Sequence, residues 1–281
     1  MQFFWLIVVF LMGSMVGSFL NVCIYRLPRD KSILRPHRSY CPFCHEKIAW
    51  YDNIPLVSWF MLNAQCRHCG SPISARYVAV EALTAVLFAV TYWLCSSRGE
   101  PVGVTAVYLA LTGALIAGTF MDLELRIIPN VVTIGGMFVA PILSAAVPAL
   151  HNRPDFGRVF VFYTHDYLMG PLAACAVGMI VGASLTWLSG LLGQVIFRRE
   201  AMGLGDVKLM AMLGGLLGWQ QVTLIFFTAA FIGAVVGIIH ILRTKEHTMP
   251  FVPFLSLAAL IVMHFADRMF ELLFMFGGAR G

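Results

Sequence analysis

Two acids and four cysteines carry the chemistry that this chain can be read for. Asp122 closes the apolar run Val102–Met121 and is followed by Leu-Glu-Leu-Arg-Ile-Ile-Pro. Asp206 ends the stretch Ala-Met-Gly-Leu-Gly-Asp and opens another apolar run. An ionisable side chain at membrane depth costs on the order of a few kcal/mol, so it is usually kept for a function. Two carboxyls that meet in one site share a proton and can do acid–base work on a peptide bond without a covalent intermediate. One carboxylate takes a proton from water. The other, protonated, polarises the scissile carbonyl and later helps protonate the leaving amine.

The surroundings of the acids fit such a site. Gly203 and Gly205 lack side chains, so a substrate backbone could approach Asp206 closely. Pro129, seven residues after Asp122, marks the start of a following helix. A plainer reading keeps both acids as interfacial groups paired with Arg126 and Lys208 at helix ends.

Cys41-Pro-Phe-Cys44 and Cys66-Arg-His-Cys69-Gly70 are two C-x2-C pairs. Each can form a tight knuckle offering two thiolates, and together they complete a tetrahedral zinc site. Four thiolates leave no open position, so Zn2+ held by Cys41, Cys44, Cys66 and Cys69 would be structural. Gly70 suits the turn after the last ligand, where positive φ is needed. Two disulfides are the competing reading, disfavoured in a cytoplasmic loop whose thiols stay reduced. His45 and His68 stand beside ligands and could each replace one. Cys23, Cys95 and Cys175 lie in or near apolar runs and read as packing residues.

These residues must be positioned by membrane helices. The chain has 281 residues, 59% hydrophobic and 12% charged, with a mean hydropathy of +0.82. A soluble chain would carry roughly 25% charged residues, and the apolar runs are continuous rather than alternating as in a β-barrel. The expected fold class is an all-α polytopic membrane protein with about eight transmembrane helices and a small cytoplasmic zinc-binding insertion after the first. The expected spans are 3–25, 77–96, 102–121, 127–148, 167–196, 207–219, 221–242 and 251–275. The sixth is short, and Gly214, Gly215 and Gly218 suit close packing or partial insertion. Gly13-x-x-x-Gly17 is a small-residue packing face in the first. The N-terminus shows no signal-peptide layout, lacking a basic stretch before its first apolar run.

The organisation expected is a first helix at 1–25, a polar loop domain at 26–76 and a peptidase bundle at 77–281. Placing the N-terminus outside puts fourteen of the 19 basic residues on inward loops. Asp122, Asp206 and the cysteine loop then share the cytoplasmic side. The net charge of +5 is explained by this topology, and no nucleic-acid partner is expected. The outward loop at 149–166, with His151, Asp155, Tyr163, His165 and Asp166, has no spacing that reads as a site.

At this level of detail the chain resembles the bacterial type IV prepilin peptidases, the prepilin leader peptidase/N-methyltransferases of the inner membrane. The resemblance runs through Gly17-Ser-Phe-Leu-Asn-Val-Cys-Ile-Tyr-Arg-Leu-Pro28, the cysteine tetrad, and Asn53-Ile-Pro-Leu-Val-Ser-Trp59 between its halves. It continues with Ile73-Ser-Ala-Arg-Tyr77, Glu81, Asp122 with Ile128-Pro129-Asn130, and Met202-Gly-Leu-Gly-Asp-Val-Lys208. The last is similar to the Gly-x-Gly-Asp motif shared with presenilin-type proteases. The resemblance implies that Asp122 and Asp206 are the catalytic aspartates. It implies prepilin or pseudopilin substrates, each a basic cytoplasmic leader ahead of an apolar helix, cut after a Gly. It also implies that the new N-terminal residue, typically Phe, is methylated from S-adenosylmethionine, and that the protein sits among lipid in the bacterial inner membrane. Val78 stands where the family often has Pro, and Val252 where a Pro-Phe-Gly-Pro-Phe pattern has Gly.

The remaining candidates are weaker. Glu124 and Glu200 could contact a basic leader, with Glu46 and Asp52 the other acids on that side. Glu81 could orient a loop residue or assist methyl transfer, against a simple pairing with Arg76. Asp267, Arg268 and Glu271 would pair locally at the outer end of the last span. No Rossmann fingerprint or phosphate loop locates the methyl donor, so its binding residues stay unassigned. The alternative functions are a Gly-x-Gly-Asp protease without methyl transfer, a proton-coupled transporter using the two Asp as a relay, and a zinc-stabilised scaffold. The transporter reading lacks paired half-sequence repeats and midplane acids.

Overall fold

A computed structural model describes residues 2–34, 39–151, 169–197, 203–244 and 249–276. Its helices are α1 (Gln2–Arg26), α2 (Val57–Met61), α3 (Ala75–Ser97), α4 (Val102–Leu125), α5 (Asn130–Ala146), α6 (Met169–Phe197), α7 (Leu204–Leu217), α8 (Trp219–Thr244) and α9 (Val252–Phe276). Apart from α2, they answer to the eight expected spans. Six of them, α1, α3, α4, α6, α8 and α9, are long and apolar enough to cross a membrane. The shorter α5 has 17 residues. At 14 residues, α7 rises only about 21 Å, short of a hydrocarbon core of roughly 30 Å. Asp155, Tyr163, His165 and Asp166 of the expected 149–166 loop, and Glu200 with its neighbours Arg198 and Arg199, lie outside the described residues.

The chain packs as two compact units. The first comprises Met1–Glu100 and Tyr108–Met121. Here α1 approaches α3 closely at Gly13 and Gly17, which carry no side chains. A Cβ on Gly13 would sit 2.8 Å from Ala85 Cα, and one on Gly17 2.7 Å from Glu81 Cα. The expected small-residue face is therefore an internal contact between two helices of one chain. Leu20, Cys23, Ile24, Val80, Ile116, Ala117 and Met121 form the core beside it. Between α1 and α3 the chain makes the cysteine-bearing insertion, whose helix among the described residues is α2 and two 3-10 turns, Leu27–Arg29 and Trp50–Asn53.

The second unit comprises Pro101–Val107 and Asp122–Gly281. Its centre is α7, buried from Leu209 through Leu217. Burial on every side explains how so short a helix persists: it meets protein where a spanning helix would meet lipid. Glycine makes the packing possible. A Cβ on Gly178 of α6 would overlap the carbonyl of Gly214 on α7, and one on Gly214 would overlap the carbonyl of Gly178. Gly218, at φ 87°, ends α7 in a conformation that disfavours other residues. Ser144 ties α5 to the same region, its Oγ lying 2.9 Å from His151 Nε2 and 3.4 Å from the Gly215 carbonyl.

Candidate active site and cysteine knuckles

Both acids of the sequence pattern fall in the second unit. Asp122 occupies the last turn of α4, which runs four residues beyond the apolar stretch that predicted it. Arg126 closes the helix at φ 55°, its N–H donating to the Asp122 carbonyl at 2.9 Å. Three residues on, Pro129 stands at the N-cap of α5. Asp206 occupies the first turn of α7, capped by Gly203, whose carbonyl accepts its N–H at 3.1 Å. Neither carboxyl is solvated: Asp122 is 7% exposed and Asp206 9%. They lie close enough for their charges to interact. Thus the fold brings together two acids that are remote in sequence.

A third element completes the pocket of polar groups. The backbone N–H of Val252, the first residue of α9, donates to Asp122 Oδ2 at 3.2 Å. The first N–H groups of a helix have no partner inside it, and they carry its partial positive charge. Each acid therefore meets a helix N-terminus: Asp206 that of its own helix, Asp122 that of α9. The sequence singled out Pro250–Phe254 for its departure at Val252, yet nothing in it tied that segment to Asp122.

Space is kept open beside Asp206. Gly203 has φ −77°, available to any residue, so its backbone does not require glycine. A Cβ there would point to within 4.0 Å of Asp206 Oδ2. Gly205 faces Ile128, where a Cβ would meet Cδ1 at 3.5 Å. Lys208, a suggested counter-ion of Asp206, donates instead to Asn130 Oδ1 at 2.8 Å. Glu124 is exposed beyond Asp122.

The cysteines converge in the first unit. The four Sγ atoms lie within 4.8 Å of one another, and Cys41 and Cys69 are 3.8 Å apart. Tetrahedral zinc with bonds of about 2.3 Å has sulfur–sulfur edges of about 3.8 Å, so the donor set fits the ion. None of the seven cysteines is in a disulfide.

The two knuckles repeat one backbone design. Cys41 N–H donates to the Glu46 carbonyl at 2.9 Å, and Cys66 N–H to the Ser71 carbonyl at 2.8 Å. His45 N–H returns to Cys41 at 3.0 Å, and Gly70 N–H to Cys66 at 2.9 Å. The bridges Tyr40–Lys47 and Gln65–Pro72 flank them in the same register. The residue after each second cysteine is left-handed, His45 at φ 58° and Gly70 at φ 70°. His45 is thus a turn residue, and both His45 and His68 are exposed, while the four sulfurs alone close the cluster. Burial pushes the Cys41 thiol up, but hydrogen bonds from the Cys44 and Phe43 backbone and from Ser71 pull it down to about 6. Ser71 Oγ lies 3.0 Å from Cys69 Sγ and 3.7 Å from Cys41 Sγ, supporting both.

Two further acids find structural partners. Asp52 pairs with Arg67 through hydrogen bonds of 2.8 and 2.6 Å. Glu81, 9% exposed on α3, accepts the Leu56 N–H at 2.8 Å. Leu56 has φ 65°, so the carboxylate orients a loop residue in a disfavoured conformation, one of the two roles read for it.

Comparison with known proteins finds matches over most of the chain. Residues 11–95 match the Bacterial Peptidase A24 N-terminal domain, and residues 109–238 match the Type IV leader peptidase family. The chain is 41% identical over 235 residues to a prepilin leader peptidase/N-methyltransferase of Myxococcus xanthus, covering 84% of this chain and 63% of that one. It is 36% identical to one from Aeromonas hydrophila, covering 92% and 90%. To one from Pseudomonas aeruginosa it is 31% identical, covering 95% and 93%. No solved structure matches it. The two family segments take in α1 through most of α8, and with them both the knuckles and the acid pair; the chain belongs to the type IV leader peptidase family.

Proposed function

We propose that the protein is a membrane-embedded aspartic endopeptidase that removes the short basic leader from prepilins or pseudopilins. Asp122 and Asp206 are its catalytic acids. The observation that carries this reading is that both are buried in terminal helix turns and near enough for their charges to interact, with the first N–H of α9 donating to Asp122 and no side chain on Gly203. One carboxylate removes a proton from water as the oxygen attacks the scissile carbonyl. The other, holding the proton that the pair shares, donates it to the carbonyl oxygen. Collapse of the tetrahedral species breaks the C–N bond, and the amine leaves with a proton from the pair. Cleavage after a Gly suits the site, because a residue without a side chain lets the amide settle against the acids.

The basic residues support an N-terminus outside the bacterial inner membrane and an acid pair at the cytoplasmic face. A substrate with a cytoplasmic leader and a membrane-embedded helix presents its junction at that face. The new amino terminus is then methylated from S-adenosylmethionine, as the names of the relatives suggest. Cys41, Cys44, Cys66 and Cys69 would hold a structural Zn2+ whose role is to fix the insertion.

The test is cleavage of a purified prepilin by Asp122→Asn and Asp206→Asn, each made separately. Loss of a general acid or base costs roughly 10²- to 10⁴-fold, so both variants lose at least about a hundredfold. Wild-type cleavage by either would remove the peptidase assignment.

A further inference from the structure

The cysteine insertion exposes large apolar side chains on one side. Trp50 and Tyr51 of the 3-10 turn, and Val57, Phe60 and Met61 of α2, are between 48% and 81% exposed. They form one ledge, because Ser58 ties the two elements together: its Oγ donates to the Tyr51 carbonyl at 3.1 Å and accepts the Ile54 N–H at 2.9 Å. None of the five lines the cavity that the insertion encloses with α1 and α3. An exposed patch with three aromatic rings marks an interaction surface. We propose that this ledge is a membrane anchor, seated in the headgroup layer of the leaflet where α1 ends and α3 begins, with anionic lipid as its partner. The proposal rests on α1 and α3 crossing a membrane and is independent of the chemistry assigned to Asp122 and Asp206.

Position is the first argument. Leu56, between the two elements, donates its N–H to Glu81 Oε2 at 2.8 Å. Glu81 stands six residues into α3, about 9 Å along the axis from Ala75. Helical side chains lean toward the N-terminus, yet the contact still lies beside the first turns of α3 and not beyond its end. The helix α2 is held there too, since the Trp59 indole N–H donates to the Ile73 carbonyl at 3.2 Å. With Ser58 buried and Trp59 turned toward α3, the side chains of Val57, Phe60 and Met61 are left facing outward. The ledge therefore flanks the start of a span, at the depth where Trp and Tyr rings favour the boundary between headgroups and acyl chains.

Charge selects the occupant. Residues 26–76 carry eight Lys and Arg against Asp30, Glu46 and Asp52, so the chain's net charge of +5 resides in this segment. Zinc held by four thiolates would lower it by two and leave it basic. Arg29 and Lys31 lie over the Tyr25 ring, 4.6 and 5.3 Å from its centroid, which sets two exposed cations at the end of α1. Arg67 lies 5.7 Å from the ring of Tyr51 in the ledge itself, with Asp52 as its counter-ion. Basic residues beside an apolar face match an anionic leaflet. They repel the basic leader of a prepilin, which a substrate-docking surface would have to attract. Both ends of the insertion are joined to spans, so the ledge is kept at the bilayer surface and meets lipid at high effective concentration.

The experiment uses the full-length protein in vesicles of phosphatidylethanolamine and phosphatidylglycerol whose acyl chains carry bromine, which quenches tryptophan on contact. The emission of Trp50 is the difference between wild type and Trp50→Phe. The expected result is loss of most of that emission relative to vesicles without bromine. Phe60→Asp combined with Met61→Asp should restore it, while zinc content and melting temperature stay at wild-type values. Unquenched Trp50 in the wild-type protein, or unchanged quenching in the folded double variant, would overturn the anchor. A photoreactive benzophenone amino acid in place of Phe60 then identifies the occupant. Irradiation should yield lipid adducts in which phosphatidylglycerol exceeds its share of the vesicle. Adducts in proportion to the mixture would overturn the anionic preference, and covalent dimers or adducts with added prepilin, in place of lipid, would overturn the membrane assignment. Prepilin cleavage is assayed separately in detergent, so failure of the anchor and failure of the peptidase reading are told apart.

Discussion

Removing one zinc ligand should dismantle the insertion and leave the helices standing. Between residues 39 and 74 only Cys41 and Ser58 are buried. No large apolar side chain there is fully enclosed, so hydrophobic burial contributes little to holding the segment. Zinc in comparable small sites supplies an apparent 10–16 kcal/mol or so. Cys66→Ser replaces a thiolate by a poor ligand, and losing even a third of that energy, several kcal/mol, exceeds what the remaining contacts provide. The purified wild type should carry one zinc per chain and resist trypsin at Lys47 and Arg67. Cys66→Ser should lose the metal and be cut at both positions. Far-UV circular dichroism should barely change, because the insertion's α-helix is the 5 residues of α2, against 25 in α1 alone. Undiminished zinc in Cys66→Ser, or equal trypsin resistance after metal loss, would refute the view that the four sulfurs are the core of this segment.

Three further substitutions separate folding from chemistry. Gly203→Ala should leave the melting temperature within about 2 °C of wild type, since a change under 0.5 kcal/mol shifts it little; it should raise KM for prepilin several-fold, because the new methyl sits beside Asp206 Oδ2. Val252→Pro removes the N–H that donates to Asp122 but is compatible with the first position of α9; cleavage should fall roughly tenfold, the value of one charge-assisted hydrogen bond of about 1.5 kcal/mol, in protein that remains folded. Gly178→Ala should destabilise the second unit by about 1–3 kcal/mol or more, because its methyl meets the Gly214 backbone, which cannot rotate away as a side chain would; thermal unfolding in detergent reads this directly.

Much of the architecture was legible because hydropathy reports length. The spans at 3–25, 77–96, 221–242 and 251–275 end within two residues of α1, α3, α8 and α9. The discrepancies cluster at the two acids. Hydropathy stopped the third span at Met121, whereas α4 continues to Leu125, because a helix propagates by backbone hydrogen bonds that ignore side-chain charge. It began the sixth after Asp206, whereas α7 starts at Leu204, because an acid in the first turn favours a helix start. Both corrections place the acids inside helices, in terminal turns, instead of in the loops beside them. The knuckles were legible from spacing alone, but their shared backbone design was not. His45 and Gly70 adopt the same conformation, and only one of them is the glycine that announces it.

What could not be read was any contact made by a backbone atom across long sequence separation. The Val252 N–H and Asp122, or the Leu56 N–H and Glu81, leave no residue-type signature at the donor, since every residue but proline has that group. The acceptors were visible as acids in apolar company. The fold resolves each in the same manner, by bringing the backbone of a distant segment to the carboxylate. For Glu81 the donor is a loop held at positive φ, and the result is a shaped insertion. For Asp122 the donor is the first N–H of α9, and the result is an acid fixed from two helices at once. Asp122 is therefore restrained by a backbone donor, whereas Asp206 has room beside it at Gly203 and Gly205.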